Sequence, residues 1–334
     1  MEAKTLVSSL EFMSKWLVFQ ERKSLNVLLL KTSKELNKLG DTSMKLKTGV
    51  IGLGNIGNGV AKNLSKSGYE VVGYDVNPER LKEEGIHPVN GADEIASMCD
   101  LVMVAVASLE AYRETISNIC NRPRTGLIVG DLCTFPEEIK EEMRRELDEN
   151  GCSLLDCPVS GARPQSQAGE LAMIVSGQKT SFDQVENALN SFCRSVIYVG
   201  EFGTSIKIKY ILNLMIAIHN LTCAEGFVMA RKAGIDLDLF INVVRNSAAH
   251  LKIFDTRSDV WKSGDYENNI TAALAIQLKD KLIIEDFAQK LGVPTPLFDV
   301  AGSYYDQADK RGWKDKDAAI ILKLLEETAD IPRN

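Results

Sequence analysis

The sequence predicts an α/β chain: a doubly wound parallel sheet followed by an all-helical C-terminal part. Three observations carry this. Short apolar runs alternate with charged helical stretches from residue 47 to about residue 203, the first run closes in a glycine-rich turn, and beyond residue 204 the strand signals stop. Such alternation packs as a parallel sheet with helices on both faces, because each strand must be buried on two sides.

In chain order, residues 1–43 form an N-terminal extension whose apolar positions run from Leu10 through Leu28–Leu30 to Leu36 and Leu39. It lacks the continuous apolar core of a signal peptide, and Glu2, Glu11, Glu21 and Glu35 interrupt it, unlike a mitochondrial presequence. Two readings stay open: a dispensable segment ahead of Met44, or an accessory helix pair.

The run Thr48–Ile51 reads as a buried strand and leads into Gly52-Leu53-Gly54-Asn55-Ile56-Gly57. Gly52 permits a tight turn, Gly54 lets the backbone approach a pyrophosphate, and Gly57 lets helix and strand pack closely. The following helix offers free N–H groups and the positive end of its dipole to phosphates. A second strand, Glu70–Tyr74, ends in Asp75, 18 residues after Gly57, where an acid meets ribose hydroxyls. An acid there repels a 2′-phosphate, so NAD is expected over NADP. The bland reading of Asp75 is a turn residue in Asp-Val-Asn-Pro.

Further strands are expected at 101–106, 126–131, 171–176 and 196–199, with the sheet turning mixed at one edge. These make 44–203 a Rossmann-type NAD-binding domain. Residues 205–233 contain no proline and only Gly226, so they read as one long helix. Helical patterns continue over 237–246, 272–291, 296–310 and 318–329, making 204–334 an all-helical substrate and oligomerisation domain. The junction helix forms a wall where a substrate binds.

Composition narrows the function. A net charge of −7 without a basic cluster argues against nucleic acid. No apolar stretch reaches the roughly 20 residues that a membrane helix needs, so no membrane partner is expected. The cysteines (99, 120, 133, 152, 157, 193, 223) form no CxxC pair and read as buried free thiols of a reducing, cytoplasmic compartment. The histidines (87, 219, 250) lie far apart, so no metal site is expected, and proton transfer near neutrality falls to lysine. Lys209 and Asn213 are four apart on the predicted junction helix and share one face. The apolar neighbours Ile208, Ile211, Leu212 and Leu214 would partly desolvate the lysine and lower its pKa, which suits an acid/base. Taken without context, a surface lysine and an incidental asparagine explain the pair.

Five ordered motifs supply that context: Gly52-Leu-Gly54-Asn-Ile-Gly57; Asp131-Leu-Cys133-Thr134; Asp156-Cys-Pro158-Val-Ser160-Gly161-Ala162 continuing to Ala168-Gly169-Glu-Leu171; Lys209-x-x-x-Asn213; and Lys279-Asp280. Over residues 46–330 the chain resembles the β-hydroxyacid dehydrogenase (3-hydroxyisobutyrate dehydrogenase-like) family. The resemblance implies Lys209 as general acid/base at the substrate hydroxyl, Asn213 orienting the substrate, and Ser160 with the Gly161 and Ala162 backbone holding its carboxylate. Small residues suit that last task because they expose N–H groups to an anion. It further implies Asn55, Ile56, Val106, Ala107 and Thr134 lining the cofactor, Lys279 at its nicotinamide end, and Asp280 as a structural partner. The implied reaction moves a hydride between a small 3-hydroxy acid, or its semialdehyde, and NAD.

The chain departs from the family pattern at Cys133 (usually serine), Ala162 (a second glycine), Ser205 (glycine) and Leu212 (a first asparagine). Ala162 and Leu212 touch the substrate end and leave the substrate open. Arg163 is a candidate partner for a second acidic group on the substrate, with a solvent-facing loop arginine as the alternative. His250 either faces the pocket or caps a helix at the surface. The rival readings are an imine reductase and a non-catalytic dinucleotide-binding scaffold; retention of Lys209, Asn213 and Ser160 argues against both. Long apolar-faced helices and the resemblance favour a homodimer or homotetramer.

Overall fold

A computed structural model describes residues 45–268 and 270–332. The reading of the N-terminal extension, 1–43, lies outside the described residues. Residues Leu46–Asn334 form one compact unit.

Six strands build the main sheet: β1 (Thr48–Ile51), β2 (Val71–Tyr74), β3 (His87–Pro88), β4 (Leu101–Val104), β5 (Ile128–Asp131) and β6 (Ser153–Asp156). Every pairing is parallel and the order is β3-β2-β1-β4-β5-β6. The strand order therefore reverses between β1 and β4, and a crevice for a ligand opens outside their carboxyl ends. The connecting helices are α1 (Gly57–Lys66), α2 (Ala92–Met98), α3 (Leu109–Asn121) and α4 (Glu137–Glu149). They cover both faces: Val50, Leu101 and Met103 pack into one core, Ile51, Val102 and Val104 into the other. This double burial is why the strands read as continuous apolar runs.

The main sheet does not turn mixed at its edge as expected; the antiparallel pairing falls in a small second sheet instead. In it β7 (Val159–Ser160) runs antiparallel to β8 (Leu171–Val175), which pairs in parallel with β9 (Cys193–Tyr198). A bridge between Asp156 and Ser176 joins it to the end of β6. The short helix α5 (Arg163–Ala168) and helix α6 (Lys179–Asn190) complete this part.

Beyond Tyr198 the described structure is helical: α7 (Thr204–Lys232), α8 (Leu237–Arg245), α9 (Lys252–Ser263), α10 (Leu274–Leu291), α11 (Pro296–Lys310) and α12 (Ile321–Thr328). By length and composition α7 is able to cross a membrane, so the expectation that no stretch is long and apolar enough fails for this helix. Its apolar side chains serve as a central core: Ile206, Tyr210, Leu221 and Phe227 are buried, and Phe227 packs its ring against Phe240, Phe254 and Trp261. Helix α9 was not foreseen from the sequence. Its buried positions Phe254, Arg257, Ser258 and Trp261 mix charge and apolar character, which blurs the helical period.

All seven cysteines are free, and six are buried. Burial pushes the thiols of Cys99 and Cys193 up to about 12 and those of Cys152 and Cys223 to about 11. The half-buried Cys120 is likewise pushed up to about 12, so an aromatic disulfide reagent at pH 8 should titrate the native protein slowly and reach all seven thiols only in denaturant. Rapid reaction of two or more native thiols would contradict this burial.

Candidate active site

The glycine-rich turn is dictated by backbone crowding. Gly52 has φ +87°, and a Cβ there would stand 2.4 Å from the Ala105 carbonyl oxygen. A Cβ on Gly57 would stand 1.8 Å from the Gly52 carbonyl oxygen. Gly54 differs, because a Cβ there would meet nothing nearer than Arg80 Nη1 at 3.8 Å. Protein packing does not demand a glycine at Gly54; the open face leaves room for a ligand to approach the backbone. Helix α1 starts at this turn with no side-chain cap and no acid in its first turn. Its leading N–H groups and positive dipole end thus suit a pyrophosphate. Asn55 is exposed at the turn, while Ile56 packs against the sheet core.

Asp75 follows β2 but is not the open acid that its position promised. It is only 6% exposed, and its carboxylate accepts the Leu53 N–H at 2.7 Å and the Asn77 N–H at 2.8 Å. Arg80, half-exposed, pairs with it at 3.2 Å. Val106 and Ala107 follow β4, with Ala107 exposed and the Val106 carbonyl accepting the Cys133 thiol at 3.5 Å.

Three elements converge around Lys209 and Asn213. Lys209 and Asn213 lie one turn apart on α7. Asn213 is buried, and its amide donates to Asp280 Oδ2 at 2.8 Å. Asp280 Oδ1 accepts Lys279 Nζ at 2.6 Å, and the same ammonium donates to the Thr134 carbonyl at 2.6 Å. Thr134, Lys279, Asp280 and Asn213 are thereby linked across the loop after β5, helix α10 and helix α7. Asp280, expected as a structural partner, holds both the Asn213 amide and the Lys279 ammonium. Its direct adjacency to Lys279 was the available sequence signal. Lys209 itself has no hydrogen bond or ion pair among the described residues. Burial lowers its pKa below the ordinary lysine value; Asp280 opposes that shift and Lys279 adds to it.

Ser160 ends β7, half-buried, and Gly161 is exposed. The Ala162 amide, expected to face a substrate carboxylate, instead donates to Gln165 Oε1 at 2.9 Å. The Ser160 hydroxyl and the Gly161 amide remain as donors in this segment. Gln165, three residues after Ala162, is a site residue that the sequence analysis does not single out. Helix α5 is bonded directly to the dinucleotide turn: Ser166 Oγ donates to the Ile56 carbonyl at 2.8 Å and Gln167 Nε2 to Asn58 Oδ1 at 3.1 Å. Arg163, at the start of α5, is exposed. His250 does not join this site; it lies at the surface with Nε2 2.9 Å from Asp255.

Residues 47–200 match the family described as the NAD binding domain of 6-phosphogluconate dehydrogenase, and residues 203–325 match the one described as NAD-binding of NADP-dependent 3-hydroxyisobutyrate dehydrogenase. The L-threonate dehydrogenase of Cupriavidus necator is 29% identical over 84% of this chain and 97% of its own length. The mitochondrial 3-hydroxyisobutyrate dehydrogenase of Mus musculus is 28% identical over 85% of this chain and 89% of its own. The crystal structure of 3-hydroxyisobutyrate dehydrogenase from Salmonella typhimurium superposes with a TM-score of 0.78 at 26% identity, covering 84% of this chain and 100% of that one. Fold, motifs and matches define a nicotinamide dinucleotide-binding oxidoreductase of the hydroxyacid class. The chain belongs to the β-hydroxyacid dehydrogenase family.

The two glycine environments separate packing from binding. Gly57→Ala forces a methyl into a backbone oxygen and should destabilise the fold by about 1–3 kcal/mol while also weakening dinucleotide binding. Gly54→Ala should leave the melting temperature unchanged yet weaken the dinucleotide Kd, read by nicotinamide fluorescence. Equal affinity of the Gly54 variant and the parent would show that the turn does not meet the cofactor.

Proposed function

We propose that this chain is an NAD-dependent dehydrogenase of a small 3-hydroxy acid, working in reverse on the matching semialdehyde, with Lys209 as general acid/base. One observation carries the reading: a desolvated lysine without a partner stands one helical turn from an asparagine locked in place by Asp280. A lysine of lowered pKa is neutral at a pH where an ordinary one is charged, so it can take the hydroxyl proton. Asn213 orients the hydroxyl oxygen, and Ser160 with the Gly161 amide receives the carboxylate. The turn Gly52–Gly57, Asp75, Val106, Ala107, Thr134 and Lys279 would hold the dinucleotide, which when bound supplies the hydride acceptor.

The relatives named for L-threonate and 3-hydroxyisobutyrate make those two acids the first substrates to try. Asp75 favours NAD; Arg80, half-exposed beside it, favours the phosphorylated cofactor, so both are compared. An imine reductase or a binding scaffold is the alternative, and Lys209 separates them. The reading extends to a cytoplasmic homo-oligomer, supported by apolar side chains exposed on the helices, among them Ile211, Met215, Met229, Leu282 and Leu297.

Absorbance at 340 nm with NAD or NADP and a panel of hydroxy acids tests the proposal. Turnover of a hydroxy acid supports it; a silent panel with dinucleotide binding intact leaves a substrate outside the panel or a binding protein. Lys209→Met should lower kcat by about 10²–10⁴-fold with an unchanged dinucleotide Kd, and unchanged turnover would remove Lys209 from its role.

The pH dependence has a fixed sign. In the oxidative direction kcat should climb with pH through a pKa below the ordinary lysine value of about 10.4. The folded state carries the full cost of the buried ammonium below its lowered pKa. That cost is relieved as pH rises from the folded pKa towards the unfolded one, so stability rises in that window. Lys209→Met should accordingly be no less stable than the parent at pH 7, as a melting curve would report.

A further inference from the structure

Below the carboxyl ends of β5 and β6 lies a set of buried charges with no part in hydride transfer. Asp131 and Asp156 are in-register neighbours on the two strands, and both are fully buried, as is Lys140 on α4. Lys140 Nζ lies 3.0 Å from Asp131 and 2.5 Å from Asp156 Oδ1, and it donates to the Cys133 carbonyl at 2.8 Å. Asp131 also accepts the Tyr112 hydroxyl at 2.6 Å and the Cys133 N–H at 2.8 Å. Asp156 turns its other oxygen to the first turn of α7, accepting the Ile206 N–H at 2.9 Å and the Ser205 hydroxyl at 2.5 Å. The helix's own cap residue, Gly203, supplies no side-chain acceptor.

We propose that Asp156 is a positioning residue, capping from the sheet the helix that carries Lys209 and so setting where that lysine stands relative to Ser160. Asp156 precedes Ser160 by four residues, and Ile206 precedes Lys209 by three, so one carboxylate joins the two halves of the site by a short, rigid route. The helix dipole favours an anion at that end. Burial raises the pKa of Asp156, and Lys140 is the main group opposing that rise. Lys140 therefore favours the charged form of the cap beside a second buried carboxylate. The hydroxyl of Ser205, where the family pattern has glycine, completes the cap and is itself held by Ser176 at 2.7 Å.

The inference rests on Lys209 as the acid/base, so its test includes a readout that needs no substrate. In the full chain, Asp156→Ala should lower kcat on the order of 100-fold with the dinucleotide Kd within about twofold of the parent, because misplacing a reacting group costs rate rather than cofactor affinity. Acylation of Lys209 by acetic anhydride, followed by peptide mass spectrometry against the exposed Lys82, should shift severalfold in the same variant. The double variant Lys140→Met/Asp156→Asn should recover most of the lost kcat: without the ammonium its amide oxygen is free to face Ile206. An Asp156→Ala protein with a lower melting temperature but parental kcat and parental Lys209 labelling would overturn the proposal. If Asp156→Ala does not fold, the comparison is between Lys140→Met and the double variant: rescue by the second change supports the cap, equal loss overturns it. Should the parent turn over nothing, a labelling shift still supports positioning and separates it from failure of the dehydrogenase reading. Unchanged labelling overturns it.

Discussion

The Asp156 carboxylate anchors the first turn of Thr204–Lys232 to the end of β6, and most of the site is arranged around that attachment. A helix of this length cannot be placed by its own propensity. Its orientation comes from what holds its ends and what buries its sides. Here one end is held by a buried carboxyl acceptor at the end of β6, and the far end is packed through its own Phe227 against Phe254 and Trp261. The arrangement is costly if left incomplete. Two carboxylates and an ammonium taken out of water each lose several kcal/mol of solvation, and close mutual contact offsets the loss only while all partners are present. Completeness explains why Lys140, Tyr112, Ser205 and two backbone amides converge there.

The loop after β5 is the second meeting point. Lys279 reaches the Thr134 carbonyl and the Tyr210 hydroxyl reaches the Phe135 carbonyl at 2.6 Å, both from the helical part. Two further ion pairs, Lys207 with Glu137 and Lys290 with Glu138, cross the same cleft in more exposed surroundings. Exposed pairs of that kind contribute about 0–1 kcal/mol, and a buried hydroxyl-to-carbonyl bond costs about 1–3 kcal/mol to leave unmade. The buried contacts thus decide how the helices seat on the sheet, and the surface pairs add little.

The proposed chemistry rests on a balance at Lys209. Burial disfavours its ammonium, Lys279 adds to that, and Asp280 works in the opposite direction. Asp280 does not neutralise the balance, because its two oxygens are already engaged by Asn213 and Lys279. A carboxylate committed to two donors is a weaker partner for a third, which suits the proton exchange proposed for Lys209.

Much of this was legible in the residues alone. The continuous apolar runs and the period-3.6 patterns determined the parallel sheet, the long junction helix and the bounds of Pro296–Lys310, because each element buries its apolar residues whatever its neighbours are. The spacing of Gly52, Gly54 and Gly57 and the pair Lys209 and Asn213 were visible for the same local reason. Only the tertiary structure decided which polar groups satisfy one another. It gave the Ala162 amide to Gln165, closed Asp75 with Leu53, Asn77 and Arg80, kept His250 at the surface, and brought Lys140 between Asp131 and Asp156. Hydrogen bonds and ion pairs act over about 3 Å between residues far apart in the chain, so no one-dimensional pattern records them.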